Sequence, residues 1–287
     1  MVGLPGRGAT VVPCFHFILM SNSKVKHVAV LFLLRHLKTR MAYRASFWIN
    51  FVFDTLVVFM QVYVWRTLLA DTVTSEITAA GMTTYVALSH AIRVLTRSAA
   101  DSVIEERLGS GDICFDLVRP LSFRMQMVLG DAGRCLTELA IHAIPSFAIV
   151  AVVFGVVPPS SVLHGLLFLA LTAIGIAISF YIKYLIGLIG FFFLKASHLA
   201  WFFGTIEGFL SGQIVPLWFY PPWLQRIADA APFKLIFYTP ISVYLGKTSV
   251  SQLVAMWPFY LFWILLLFAA ETLLWKSAIR RIVVQGG

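Results

Sequence analysis

Charged side chains are scarce in this chain, and their scarcity excludes most soluble folds. Asp, Glu, Lys and Arg make up 12% of 287 residues against 60% apolar ones, with a mean hydropathy of +0.87, whereas a soluble domain carries roughly 25% charge. Cysteine is equally sparse. Cys14, Cys114 and Cys135 stand far apart with neither CxxC nor Cys/His spacing, which argues against a disulfide framework and against a zinc site. Ten-residue alternating strands are missing, so a membrane β-barrel is not indicated. His90, His142, His164 and His198 are scattered, with no paired carboxylates and no Ser/His/Asp spacing, so no catalytic constellation converges. The run "GLPGRGAT" at 3–10 resembles a phosphate loop but lacks the Gly-Lys-Ser/Thr ending, and no strand precedes it. The chain is therefore expected to have no catalytic, metal or cofactor-binding residues of its own.

What remains is length and apolarity. Windows of about 20 apolar residues recur, enough to cross roughly 30 Å of hydrocarbon at about 1.5 Å per residue. They predict an all-α integral membrane protein with six spans, at 47–68, 79–100, 127–156, 162–194, 198–219 and 253–275. Residues 1–23 read as a tail or start-site extension, with Met20 an alternative start, and fit a secretory signal poorly. Residues 24–287 form one transmembrane domain. Its first part, "KVKHVAVLFLLRHLKTRMAYR" from Lys24 to Arg44, puts Val30, Leu34, Leu37 and Met41 on one face. That pattern predicts an interfacial helix, with a snorkelling extension of the first span as the alternative.

Polar residues inside the spans follow helical spacing. Asn50, Asp54 and Gln61 share a face of the first, His90, Arg93 and Arg97 line the last turns of the second, and Arg134, Glu138 and His142 stack in the third. Asp54 reads as structural, because a carboxylate facing lipid at the bilayer centre costs at least about 2.5 kcal/mol. The third-span triplet reads as internal salt-bridge and hydrogen-bond support.

The net charge of +9 would point a soluble protein toward nucleic acid; here it reads as topology. On the six-span arrangement, seven basic residues up to Arg44, five from Arg97 to Arg134, Lys183, Lys195 and three in the tail fall on one side. Only Arg66, Arg226, Lys234 and Lys247 fall on the other, with Arg93 inside the second span. Both termini are thus predicted cytoplasmic. The segment "SGQIVPLWFYPPWLQRIADAAPF", Ser211 to Phe233, then lies outside. It carries four prolines, and helix breakers are tolerated at membrane depth only in contact with protein or a cavity. It reads as the broken end of the fifth helix, re-entering the bilayer. The prolines favour a cap over the pathway, while Trp218, Phe219, Tyr220 and Trp223 read as interfacial anchors.

Two motifs carry a resemblance to a known family, the permease subunits of ABC type-2 (ABC-2) exporters, in particular small bacterial six-helix permeases. The stretch "IEERLGSGDICFDLVRPL", Ile104 to Leu121, is similar to the loop after the second span, with a short helix, a glycine pair and a Leu-x-Arg-Pro ending. The stretch "FLSGQIVPLWFYPPWLQRIADAAPFKLIFYTPISVYLG", Phe209 to Gly246, is similar to the external re-entrant segment. The resemblance runs from about Met41 to the C-terminus. It implies a multi-pass protein of the bacterial inner or plasma membrane that forms half of a translocation pathway. ABC ATPase subunits carrying ATP and Mg, and a second permease chain in a homodimer or heterodimer, would be its partners, with membrane lipid around it and no nucleic acid.

On that reading the loop 101–122 couples to the ATPase through Ile104, Glu105, Glu106, Arg107, Leu108, Gly109, Gly111, Arg119 and Pro120. Val103, Ile104 and Leu108 would dock on the ATPase, the three charges would pair across the interface, and the glycines would end the helix Ser98–Leu108. The re-entrant segment 211–246 would use Gly212, Pro216, Pro221, Pro222, Pro232, Phe233 and Gly246. Dimerisation through the first and fifth spans, with the Asn50, Asp54 and Gln61 stripe near the interface, is also implied.

Lys183 and Glu207 are not features of that family. If Lys195 marks a bend, each lies twelve residues from it, so antiparallel helices bring them to one depth, and a pair costs less than either charge alone. The alternatives are a Glu207 that lines the pathway for a cationic cargo and a Lys183 that snorkels. Against the exporter reading stand a secondary transporter or channel, which should show interrupted helices in both halves, and a membrane enzyme or scaffold.

Overall fold

The computed structural model describes residues 44–70, 77–119, 121–193 and 197–281, and within them the chain is helical with no strand. Ten helices follow in order: α1 Arg44–Ala70, α2 Ala79–Leu95, α3 Ala100–Ser110, α4 Ile113–Val118, α5 Phe123–Phe154, α6 Val162–Ile189, α7 Ser197–Leu210, α8 Pro222–Ala230, α9 Tyr238–Tyr244 and α10 Val250–Ala278. Side-chain caps set the starts of α2, α5, α6 and α10, each offering an oxygen to an otherwise orphaned N–H. Thr78 accepts from Gly81, Ser122 from Met125 and Ser161 from His164, while Ser249 and Gln252 close a reciprocal capping box at α10.

Among the described residues four helices are long and apolar enough to cross a membrane: 48–70 of α1, then α5, α6 and α10. The expected second and fifth spans are shorter than their apolar runs. The second helix stops at Leu95 rather than 100, where the Thr96 hydroxyl turns back to the carbonyl of Ile92. The fifth stops at Leu210 rather than 219, because the chain turns at Gly212 with φ +79°, a left-handed conformation that glycine adopts without a Cβ clash. With 17 and 14 helical residues they reach only about 26 and 21 Å. The fourth helix ends at Ile189, short of the expected 194. The bend at Lys195, the interfacial helix at 24–44 and the tail 1–23 lie outside the described residues.

α5 is continuous but widens into a π turn at Leu139–Ala143. Pro145 follows it; with no N–H of its own and a ring that crowds the preceding turn, proline favours such a local widening.

The main core gathers Val58 and Val62 of α1, Met82 to Ile92 of α2, Leu171 to Ile186 of α6, Leu235 to Ile241, and Tyr260 of α10. α2 is wrapped on nearly all sides. A second cluster at one end joins Ala100 and Ile104 of α3, Ile113 of α4, Phe123 of α5 and Phe180, Tyr184 and Leu188 of α6. Phe123 stacks on Trp275 there, with centroids 5.2 Å apart. The outward faces of α1 and α10 remain apolar and exposed, from Trp48 to Leu68 and from Val254 to Leu273, as helices bathed in hydrocarbon must be.

Candidate functional site

The loop between α2 and α5 folds into α3 and α4 around one buried carboxylate. Asp116 is fully buried; Arg107 hydrogen-bonds its Oδ2, and Arg119 Nη1 lies 3.2 Å from Oδ1 as an ion pair without hydrogen-bond alignment. Gln126 of α5 then donates to the carbonyls of Asp116 and Leu121 at 2.8 and 2.9 Å. Charge-assisted contacts of this kind are among the stronger hydrogen bonds, so two short helices unable to persist alone become one body fixed to the bundle.

The coupling residues expected from sequence separate into inward and outward groups. Ile104 is fully buried against α6, so it holds the loop to the bundle and offers nothing for docking. Arg107 is turned to Asp116 within the loop. Glu105 and Leu108 are half-buried and Glu106 is exposed. Gly109 sits inside α3, which runs to Ser110; the left-handed Gly111, φ +78°, ends it, as helix C-termini commonly require. Arg119 is exposed apart from its ion pair, and Pro120 lies outside the described residues. Sequence reasoning missed the two most prominent outward groups, Phe115 at 72% and Val118 at 86% exposed. Beside them opens a groove of about 810 Å³ whose lining includes Glu106, Asp112, Phe115, Arg119, Asp131 and Arg134. α4 holds a single charged residue, Asp116, among apolar ones, and six residues are too few to show by period which side faces out.

At the opposite end of the bundle the segment 211–246 is built from short helical pieces, the first three opened by proline, whose fixed φ and missing N–H suit a first turn. Pro216 precedes the 3₁₀ turn Leu217–Phe219, Pro221 and Pro222 open α8, and Pro232 opens the 3₁₀ turn Pro232–Leu235. Gly212, Pro216, Pro232 and Phe233 are buried, while Pro221, Pro222 and Gly246 are exposed. The Tyr85 hydroxyl donates to the Gly212 carbonyl at 2.6 Å and Tyr238 N–H to the Ser211 carbonyl at 3.0 Å. Trp65 of α1 stacks on Phe219, and the Lys247 ammonium sits 4.2 Å from the Trp218 ring centroid, a favourable cation–π distance. On α8, Trp223 and Ile227, one turn apart, are 64% and 50% exposed.

Between the ends lie the buried charges. Lys183 and Glu207 make no ion pair within 4.0 Å; they meet through a relay. Lys183 Nζ donates to the carbonyl of Thr96 at 3.3 Å, and Ser179 Oγ lies 3.3 Å from that carbonyl and 3.4 Å from Glu207 Oε1. The hydroxyl has one proton, so it donates to one of these acceptors at a time. The carbonyl is available because α2 ends there, a circumstance that helix depth alone does not foretell.

Asp54 is turned into its own chain: Arg97 binds it through both guanidinium nitrogens at 2.9 Å, and Arg93 reaches Oδ1 at 3.2 Å. This agrees with the structural reading of Asp54. Its partners are Arg93 in the last turn of α2 and Arg97 just beyond the helix end. In α5, Arg134 donates to Asp131 at 3.0 Å and to the carbonyls of Val94 and Leu95, tying α5 to the end of α2. Arg124 reaches Glu271 of α10 at 3.1 Å.

No individually curated protein matches the chain. A family model described as ABC-2 family transporter protein matches residues 51–286. That match spans every helix from α1 to α10, and the chain belongs to this family of membrane transport proteins.

Proposed function

We propose that the chain is the membrane-spanning permease subunit of an ATP-driven ABC exporter, forming half of a pathway for a hydrophobic or amphipathic substrate. ATP and Mg act on partner ATPase subunits, and a second permease chain, identical or different, completes the pathway. The observation that carries this reading is the loop 101–122: Asp116 fixes it rigidly to the bundle, yet it presents Phe115 and Val118 outward. A soluble loop has no reason to be both. A partner that pushes on the membrane domain needs both a rigid lever and an apolar handle on it.

Six crossings follow if α2 and α7 count as spans completed by non-helical residues at their ends. α2 reaches from the Val157 end, where Thr84 accepts from Val157 N–H at 2.8 Å, to the Arg134 end. α7 runs from contact with α3 to the segment 211–246. The coupling loop and the proline-rich segment then lie on opposite faces, cytoplasmic and external, in a bacterial inner or plasma membrane with both termini cytoplasmic. Single cysteines at Phe115 and Trp223, in a chain whose native cysteines are replaced by serine, test this arrangement. A membrane-impermeant maleimide applied to intact cells should label position 223 and leave 115 unlabelled until the vesicles are inverted. Labelling of 115 from outside would overturn it.

A further inference from the structure

The loop that would receive the ATPase stroke and the segment that would cap the pathway both rest on α6, and both rest on its backbone. At one end α3 lies across Gly187: a Cβ there would meet Ile104 Cδ1 at 2.7 Å and the Asp101 Cα at 3.1 Å. Twelve residues earlier the same helix takes the link between the 3₁₀ turn Pro232–Leu235 and α9 on Gly175, where a Cβ would meet Ile236 Cα at 3.0 Å and the carbonyl oxygens of Leu235 and Ile236 at 3.1 Å. Ile104, Leu235 and Ile236 are fully buried, so neither seat has water or open space to yield into. Between the seats Ser179 and Lys183 hold α6 to the Thr96 carbonyl at the end of α2.

We infer that α6 is a transmission rod, with Gly187 and Gly175 as positioning residues that carry displacement of the coupling helix to the external segment. This rests on the exporter reading for what drives the displacement. The physical reasoning is direct. α6 runs unbroken from Val162 to Ile189, and its two seats are about 18 Å apart along the axis and about 120° apart around it. Where a side chain separates two helices, rotamer changes absorb small movements; where backbone meets side chain at contact distance, the close-packed interior transmits them. A shift of α3 against Gly187 therefore moves α6, and α6 moves Ile236. The Ser179 and Lys183 contacts to the C-terminal end of α2 oppose free sliding and favour tilting about the Thr96 carbonyl.

The test uses the full chain in liposomes without any ATPase, so it is independent of whether the loop docks on one. Spin labels at Val152, at the end of α5, and at Trp223, on the external segment, report the distance between them in the cysteine-replaced chain. Gly187→Ala crowds the inner seat and should shift that distance by about 2 Å, the scale of helix shifts in such transitions. Ile104→Val removes the Cδ1 that the new methyl strikes, and in the Gly187→Ala chain it should restore the native distance. Leu169→Ala, on the exposed face of α6, should change nothing. Ile104→Ala empties the seat instead of crowding it and should broaden the distribution, which keeps the proposal testable if Gly187→Ala does not fold. Native distributions in both seat variants, a Gly187→Ala shift that Ile104→Val does not reverse, or an equal shift from Leu169→Ala would overturn the rod. Failure of the loop to cross-link to an ATPase would overturn the exporter reading and leave these distances unaffected.

Discussion

Replacing Asp54 by leucine should destabilise the chain by about 3 kcal/mol, the lower end of what is lost when one member of a buried ion pair is removed. Asp54 is 5% exposed and takes three hydrogen bonds from Arg93 and Arg97. Without the carboxylate the guanidinium groups of Arg93, in the last turn of α2, and of Arg97, just past its end, are left together against a first helix with nothing to offer them. The lower end applies because the side chains of Arg93 and Arg97 are 30% and 44% exposed and can turn partly outward. Asp54→Asn keeps one acceptor oxygen and should lose less. Replacing Arg93 and Arg97 by methionine in the Asp54→Leu chain should recover most of the loss, since apolar residues of similar volume substitute well for a buried pair. Thermal unfolding of the detergent-solubilised variants checks the series. An unchanged melting temperature for Asp54→Leu would mean that the α1 to α2 contact does not depend on this cluster.

Asp116→Ala should separate function from folding. Arg107 and Arg119 are about as exposed as the partners of Asp54, but Asp116 lies within a loop and not between two spans, so the loss falls on the loop and global stability should fall by only about 1–2 kcal/mol. The loop, however, loses the group around which α3 and α4 close, and Phe115 and Val118 lose their fixed position. If binding to an ATPase subunit uses that position, affinity should drop by about tenfold or more, equivalent to about 1.4 kcal/mol of lost preorganisation. Co-purification of the ATPase with the Asp116→Ala chain measures this. A full yield of complex would show that docking does not need the Asp116 clasp.

The helices were legible in the sequence because hydrocarbon demands long apolar runs, and the starts of α2, α6 and α10 match the expected spans to within three residues. Their ends were not, since apolar composition continues past the point where backbone bonding changes. Gly212 ends the fifth helix by a left-handed turn within a stretch that remains apolar, and Thr96 ends the second through its hydroxyl where the polar stretch 96–101 begins. The proline-rich segment was legible as broken helix, because Pro216, Pro221, Pro222 and Pro232 open pieces of it. The loop was legible as a unit, but the assignment of Ile104 to docking failed: an isoleucine on a short charged helix carries no mark of which side it packs on. Its true neighbour, Gly187, is 83 residues away. The same distance problem hid the Thr96 carbonyl between Lys183 and Glu207, as a freed carbonyl is a property of where a helix ends and not of any residue type.

The central claim is that the α3 and α4 loop is the place where an ATPase acts on this membrane domain. Cysteines at Phe115 and Val118, in membranes containing the chain and a co-expressed ABC ATPase, test it most directly with a short bifunctional maleimide. The account predicts a cross-linked product of permease and ATPase from both positions, with yields that change when ATP is trapped, and none from a cysteine at Trp223. No product from either loop position, with a product from Trp223 or from no position at all, would contradict it.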